Sequence, residues 1–509
     1  MSILGDLTFA AGGIYRVVVD PTQASSAAVF GTANLGGATV NAQFAPGTYL
    51  TNQYLIMQAV AVNGAFNPAV ATTNMPVGFD ASLSYLGSDV YLDLIAQLGG
   101  TGGASLPRHS QNVASTLNNY FNSGGTLPPA FVALFGMTGD TLKTALSQIS
   151  GEPGASVSTP TFMAWNSFFN MIFDPYAQNR GGFGGDGAMA STAAAPSDKV
   201  RLADAAVTPN GDLKGGLVTK APALADPFAS RWRVWGGGYG GSATTDGNAQ
   251  TGSHDTTSRA YGFAAGADHR LAPDTLIGFA LAGGGTSFGV DQGLGGGTSD
   301  MFQASVYARQ GWGAAYLMGA FGYGWQDFTL NRTVTIAGTD KLEADFNANT
   351  LAGRAEGGWR FGGPMLGLTP YAALQIASID LPAFTERATS GANTFALSYA
   401  GRTDTQTRSE FGARFDYAMP MQDALLILRG RAAWAHDYDN DRIANAGFLT
   451  LPGTAFTVTG AQPDADSLLV SAGAELAFLN GFSLAGSFEG GFSGNTESYA
   501  GKGAIRYRW

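Results

Sequence analysis

Two strings in this chain have the spacing of motifs that do chemistry. Gly285-Thr286-Ser287-Phe288-Gly289 fits G-x-S-x-G, in which a serine on a sharp strand-to-helix turn becomes a nucleophile with Asp and His partners downstream. Here the string follows the alternating run Leu276–Leu281 and enters a glycine-rich loop, with no helical pattern behind it. Gly236-Gly237-Gly238-Tyr239-Gly240-Gly241 fits G-x-G-x-x-G, whose glycines bring a pyrophosphate up to a helix N-terminus, and again no helix follows. His109, His254, His269 and His436 show no metal-ligand spacing with a carboxylate cluster, and there is no cysteine. Both strings read as chance matches. No catalytic residue, no metal site and no cofactor is expected, and the chain is not read as an enzyme.

A second set of residues is patterned by face. Arg354, Glu356, Arg360, Glu410, Arg414, Asp416, Arg429, Arg431, Glu475, Glu489, Lys502, Arg506 and Arg508 alternate with apolar or small residues at a period of two. At the carboxyl end Trp509, Tyr507, Ile505, Gly503, Gly501 and Tyr499 share one face, and Lys502, Arg506 and Arg508 the other. In a strand, successive side chains point to opposite faces. The pattern recurs too often for one aqueous core, so the apolar face is assigned to lipid and the charged face to an enclosed aqueous lumen. Lipid-facing arginine would cost about 2–4 kcal/mol at the bilayer midplane, which places these charges inside by exclusion. They are expected to pair mutually, or to form a lining that accepts a plug segment or a passing chain by polar contacts without gripping it.

Composition agrees. Charged residues are 13%, about half the ~25% usual in soluble domains, and 73 glycines is about twice the usual share. Mean hydropathy is +0.03 with no apolar run long enough for a transmembrane helix. Membrane strands spend only alternate residues on lipid, so that average is expected. A net charge of −11 without a basic patch excludes nucleic-acid binding. Absence of cysteine removes any crosslink that would stop an unfolded chain from threading a narrow pore.

The elements that must hold these faces fall into four regions. Residues 1–98 read as short strands between glycine turns (Ile14–Val19, Ala28–Phe30, Tyr54–Met57, Val90–Leu92), spaced like solenoid rungs. Residues 99–178 read as helical. Val113, Leu117 and Tyr120/Phe121 recur at helical spacing, as do Leu142, Ala145/Leu146 and Ile149, with Gly151 as a stop. A third helix is expected to open at Thr159 as N-cap with Pro160 in its first turn, and to pack Phe162, Trp165, Phe168/Phe169 and Ile172/Phe173 on the other helices. Residues 179–230 are low in complexity and read as a linker. Residues 231–509 carry about twelve alternating strands, with Trp and Tyr near strand ends as interfacial girdles. The fold class is therefore an all-β membrane protein. It comprises an antiparallel transmembrane β-barrel of about twelve strands, a short N-terminal β-helix and a helical connector.

At this point the chain resembles the classical autotransporters. The residues that carry the resemblance are the barrel opening Arg233–Gly240, the penultimate strand Phe482–Phe488 and the ending Ile505–Trp509. Upstream, Gly31–Gly37, Gly47–Tyr49, Tyr54–Ile56, Gly64–Phe66 and Leu83–Tyr85 followed by Val90–Leu92 are similar to the last rungs of a pertactin-like β-helical passenger, and Leu146–Glu152 to the connecting segment. The resemblance implies a monomeric twelve-stranded translocator at 231–509 that inserts in the bacterial outer membrane. It implies periplasmic chaperones and the barrel-assembly machinery as partners, with Trp509, Tyr507 and Ile505 as the assembly signal. The chain's own passenger, with 1–98 as its autochaperone-like end, would be displayed at the cell surface. Some members cut themselves at an Asn-Asn pair; Asn118-Asn119 lies more than 100 residues before the barrel, too far upstream for that role. Family precedent puts a helix in the pore just before the first strand, yet residues 181–230 are rich in glycine and alanine, and the aromatic helix near 160–176 reads as too apolar for a wet lumen.

The opening Met1–Gly13 has neither a basic n-region nor a useful apolar run, so it is not a signal peptide, and coding sequence upstream is expected. Two other readings stay open: an outer-membrane porin or solute channel, and the barrel anchor of a surface enzyme whose catalytic part lies elsewhere.

Overall fold

The protein is described by a computed structural model covering residues 1–100, 105–174, 231–363 and 365–509. The linker expected at 179–230 lies outside the described residues, as does the end of the connector at 175–178.

Nine strands build the N-terminal unit: β1 (Ser2–Ile3), β2 (Leu7–Thr8), β3 (Ile14–Val19), β4 (Ala27–Asn34), β5 (Thr39–Phe44), β6 (Gln53–Asn63), β7 (Ala71–Thr73), β8 (Phe79–Leu86) and β9 (Asp89–Ala96). β1, β4 and β6 pair in parallel, and so do β3, β5 and β7. Partners such as Ile14↔Thr39 and Asn41↔Ala71 are about 25–30 residues apart, the repeat of a stacked solenoid rung. Val17, Val19, Val40, Ala42 and Phe44 point inward from alternate positions and fill the stack. β9 turns back antiparallel on β6 and pairs β8, so a hairpin closes the last rung.

Among the described residues five α-helices follow, α1 (Arg108–Asn122), α2 (Pro129–Val132), α3 (Gly139–Ser150), α4 (Glu152–Ala155) and α5 (Ser158–Phe173), with a 3-10 turn at Ala133–Gly136 after α2. α1 buries Val113, Leu117 and Phe121, and α3 buries Leu142, Leu146 and Ile149. α3 stops at Gly151, whose φ of 76° is the left-handed conformation that glycine adopts without strain. α5 opens differently from the expectation. Val157 (φ −57°, ψ −37°) is already helical, so no side chain caps the start and Thr159 lies inside the helix. Its hydroxyl accepts a hydrogen bond from Arg442 Nε at 3.0 Å instead.

The remaining strands are β10 (Trp232–Thr245), β11 (Thr256–Ala272), β12 (Thr275–Val290), β13 (Gly295–Trp312), β14 (Ala315–Val334), β15 (Asp340–Trp359), β16 (Phe361–Gly362), β17 (Leu366–Leu381), β18 (Phe384–Thr385), β19 (Arg387–Ser390), β20 (Leu397–Tyr399), β21 (Arg402–Pro420), β22 (Ala424–Asp437), β23 (Ile443–Phe448), β24 (Phe456–Thr459), β25 (Asp466–Phe478), β26 (Phe482–Phe492) and β27 (Thr496–Arg508). Among the described residues twelve of these, β10–β15, β17, β21, β22 and β25–β27, form one antiparallel sheet in chain order. β10 pairs β27 from Arg233↔Arg508 to Thr245↔Thr496, which closes the sheet into a barrel. β16 and β19 are short additions, and β18, β20, β23 and β24 make a separate small sheet.

The two barrel ends differ. Trp232 and Trp509 exchange backbone hydrogen bonds of 3.2 and 3.1 Å at one end, where turns such as Ala272 to Thr275 and Trp312 to Ala315 are short. The other end carries the long connections 382–401 and 438–465, which hold the small sheet. Outward positions are apolar: Phe482, Leu484 and Phe488 on β26 are about half exposed, while Ser483 between them is 7% exposed. No helix among the described residues is long and apolar enough to cross a membrane, so any crossing is made by the strands.

Candidate functional site: the helix-filled lumen

α5 lies inside the barrel. It packs on β10, β11, β12 and β17 rather than on the other helices, which corrects the expectation for this segment. Room for it comes from small residues on the inner wall. Ala260, Ala264, Ala280 and Ala282 are buried there, and Gly322 and Gly324 lie under the indole of Trp165. A Cβ on Gly322 would sit 2.7 Å from that ring, and one on Gly237 or Gly241 would sit 2.8 Å from the methyl of Met171 or Met163. Phe168 and Phe169 flank the indole at 5.8 and 5.2 Å. One side of the wall is thus small and apolar, which is why an aromatic helix is stable in a lumen.

The opposite face of α5 carries Asn166 and Asn170, and its C-cap Asp174 continues the same four-residue row. Asn166 accepts a hydrogen bond from Gln375, and Asn170 Nδ2 donates to Glu489 at 3.3 Å. Lys502 Nζ donates to the Asn170 carbonyl at 3.3 Å and pairs with Asp174. Behind this row stands a ladder of buried ions. Arg354 pairs with Glu410 at 2.9 Å and with Glu356 at 3.1 Å, and Arg414 pairs with Glu356 at 2.7 Å. Tyr316 donates to Glu356 at 2.9 Å, and Arg414 stacks 3.8 Å over the Tyr371 ring. Arg431 reaches Glu489 at 3.7 Å and Glu410 at 4.0 Å. Nearer the short-turn end Arg360 pairs with Asp416, and Glu475 takes both Arg429 and, at 3.3 Å, Arg506. Arg508 is the cross-strand partner of Arg233. Twelve of the thirteen charges singled out by alternation occupy inner-face positions of wall strands, and Arg360, just past the end of β15, is buried. Arg233, Asp268, Arg270, Arg309 and the 2.7 Å pair Arg408–Asp437 belong to the same lining, and the same period of two in their strands is the signal that finds them.

At the long-loop end the connector is locked to the barrel rim. Arg332 is buried and bonds Glu386, the Phe395 carbonyl at 2.8 Å and the Gln148 carbonyl of α3 at 2.7 Å. The 246–255 loop accepts the N-terminal amides of α1, from Arg108 N to Gln250 O and from His109 N to Thr251 O, both at 3.0 Å. His254 gives its backbone N–H to Glu152 at 2.7 Å and sets its Nδ1 2.7 Å from the other carboxylate oxygen. Its ring lies 6.0 Å from that of His109. Burial, with His254 beside it, holds the His109 imidazole down to about 4, and burial raises the Glu152 carboxyl.

The other sequence candidates are placed elsewhere. Ser287 is within β12, three residues before its end and not at a strand-to-helix turn, and Gly236–Gly241 lie within β10. His269 packs on Trp232, and His436 meets Asp466 at 2.8 Å. Asn118 is on α1, where its side chain bonds the Leu98 amide and carbonyl at 2.8 and 3.2 Å, outside the barrel.

The family model for the autotransporter beta-domain matches residues 234–489, half of the chain. Similar solved structures include the translocator domain of autotransporter NalP from Neisseria meningitidis, at 19% identity and TM-score 0.45, covering 55% of this chain and 89% of that one. The beta domain of the Bordetella autotransporter BrkA has 18% identity and TM-score 0.42 over 55% of this chain and 100% of that one. The transport unit of AIDA-I from Escherichia coli has 14% identity and TM-score 0.36 over 54% and 90%. No curated protein matches the chain.

Proposed function

Because this chain belongs to the autotransporter β-domain family, we propose that its barrel spans the bacterial outer membrane and carries residues 1–98 to the cell surface. The observation that carries this reading is the path of the backbone. The β-helical unit and α1–α4 sit at the long-loop end, α5 runs down the lumen, and β10 starts at the short-turn end. Short turns face the periplasm and long loops face outward in barrels of this kind. A chain that left through the lumen and stopped would have this layout. Residues 1–98 are then the end of a passenger, 99–178 a connector whose last helix stays in the pore, and 231–509 the translocator. Trp509, Tyr507 and Ile505 serve as the signal for chaperones and the assembly machinery, and the barrel works as a monomer. A lumen filled by α5 disfavours the open porin.

Protease added to intact cells tests the reading. Residues 1–98 should be cut from outside while the barrel remains intact. A segment that stays protected until the outer membrane is broken would refute it.

A further inference from the structure

Arg431, on the inner face of β22, is the guanidinium of the ladder that holds its carboxylates least closely. It is 7% exposed, yet among the described residues its Nε and Nη1 have no hydrogen-bond partner. Its carboxylates stand at 3.7 Å (Glu489) and 4.0 Å (Glu410), beyond hydrogen-bond reach. Both are engaged more closely by other groups. Glu410 takes two 2.9 Å bonds from Arg354, and Glu489 takes the Asn170 amide at 3.3 Å. By contrast Arg414 holds Glu356 at 2.7 Å, and Lys502 holds Asp174. A buried charge whose hydrogen bonds are unmade destabilises the fold, so Arg431 calls for an acceptor from outside the chain.

Arg431 lines a cavity of about 60 Å³ beside Asn170 of α5. The wall is built small there. Ser471, Gly473, Ala485, Ser487 and Ala504 point inward, although the next inward positions of the same strands are Glu475, Glu489, Lys502 and Arg506. Arg431 is the direct cross-strand partner of Ser471, and Arg429 of Gly473, so both guanidiniums reach the same space. Nε of Arg429 is also without a partner among the described residues. One water needs roughly 10–15 Å³ of such space, so the cavity takes a halide-sized ion with a water or two, and no polypeptide. Water alone would fill the volume but bring no counter-charge to the guanidinium. Asp174 lines the same cavity and disfavours a polyvalent anion.

We propose that this cavity binds one small monovalent inorganic anion of the chloride class, held by Arg431 and Arg429 with the hydroxyls of Ser471 and Ser487. The ion joins β22 to β25 and β26 beside the place where Lys502 of β27 holds the Asn170 carbonyl and Asp174. It therefore clamps the end of α5 against the wall. The site belongs to the folded, helix-filled barrel and stands whichever way the passenger travels.

Crystals of the detergent-solubilised full chain grown in bromide test the site directly, because bromide replaces chloride and scatters anomalously. A bromide peak beside Arg431 Nε is expected, and Arg431→Gln should lose it. In solution, replacing gluconate by chloride at constant ionic strength should raise the thermal midpoint, followed by tryptophan fluorescence, by about 2–4 °C at saturation. Arg431→Gln should flatten that response. Ser487→Val fills the cavity while keeping the arginine and should flatten it too, so the test does not depend on how well the arginine variant folds. Absence of the peak, a carboxylate of the chain itself in the cavity, or a chloride response that persists in both variants would overturn the proposal. A peak with no chloride response in the unaltered chain would mark an adventitious ion only and overturn it equally.

Discussion

Gly322 and Trp165 show how single residues fit α5 to its barrel. The indole is boxed by Phe168 and Phe169, so it cannot retreat from a Cβ built 2.7 Å away on Gly322. Overpacking of this kind costs about 1–3 kcal/mol. Gly322→Ala should therefore lower the temperature at which the folded barrel band disappears on unboiled gels. Gly289→Ala, where nothing lies within 4 Å, should leave it in place. Equal midpoints for the two variants would mean that α5 does not sit against β14. The glycines of this strand are legible in the sequence only as high composition; their purpose depends on which helix faces them. The ions on the opposite wall are more legible, because alternation assigns each one a side before its partner is known. Who pairs with whom, such as Arg354 with Glu410 across β15 and β21, follows from register, which alternation leaves open.

At the scale of elements, the strands could be read because lipid on one side and a lumen on the other impose a strict period of two. α5 could be read as a helix, but its location could not. Its average apolarity argues against a hydrated pore, whereas half of this lumen is glycine and alanine. The row Asn166, Asn170 and Asp174 is the feature that marks its polar side. The join between α1, α4 and the 246–255 loop is a separate element and has a pH signature. His109 is held down to about 4 in the fold against an ordinary value near 6.5, so the folded chain binds fewer protons than the unfolded one in that window. Its stabilising contribution is therefore complete above ~6.5 and is lost as pH falls toward 4, at most about 3 kcal/mol. Glu152, raised by burial, has the opposite sign: its contribution is present at low pH and declines as pH rises. The histidine acts between about pH 6.5 and 4. Amide protection factors of α1, taken relative to the intrinsic exchange rate at each pH, should fall as pH is lowered through that interval, and His109→Phe should remove the fall. Protection factors that stay constant across the interval would place the proton uptake elsewhere.

At the scale of the molecule, a net charge of −11 conceals a lumen lined with ion pairs of both signs, and a near-zero mean hydropathy conceals an apolar outer belt. Both averages mislead for the same physical reason: the barrel sorts alternate residues into two solvents. Export and plugging by α5 both depend on that sorting. Because the chain has no cysteine, single cysteines can be placed one at a time along β26 and spin-labelled in bilayers. Positions 482, 484, 486 and 488 should be open to oxygen, which partitions into lipid, and closed to a water-soluble nickel chelate, while 483, 485 and 487 should lose the oxygen signal. Even positions shielded from both probes, or no alternation at all, would contradict a membrane-spanning barrel.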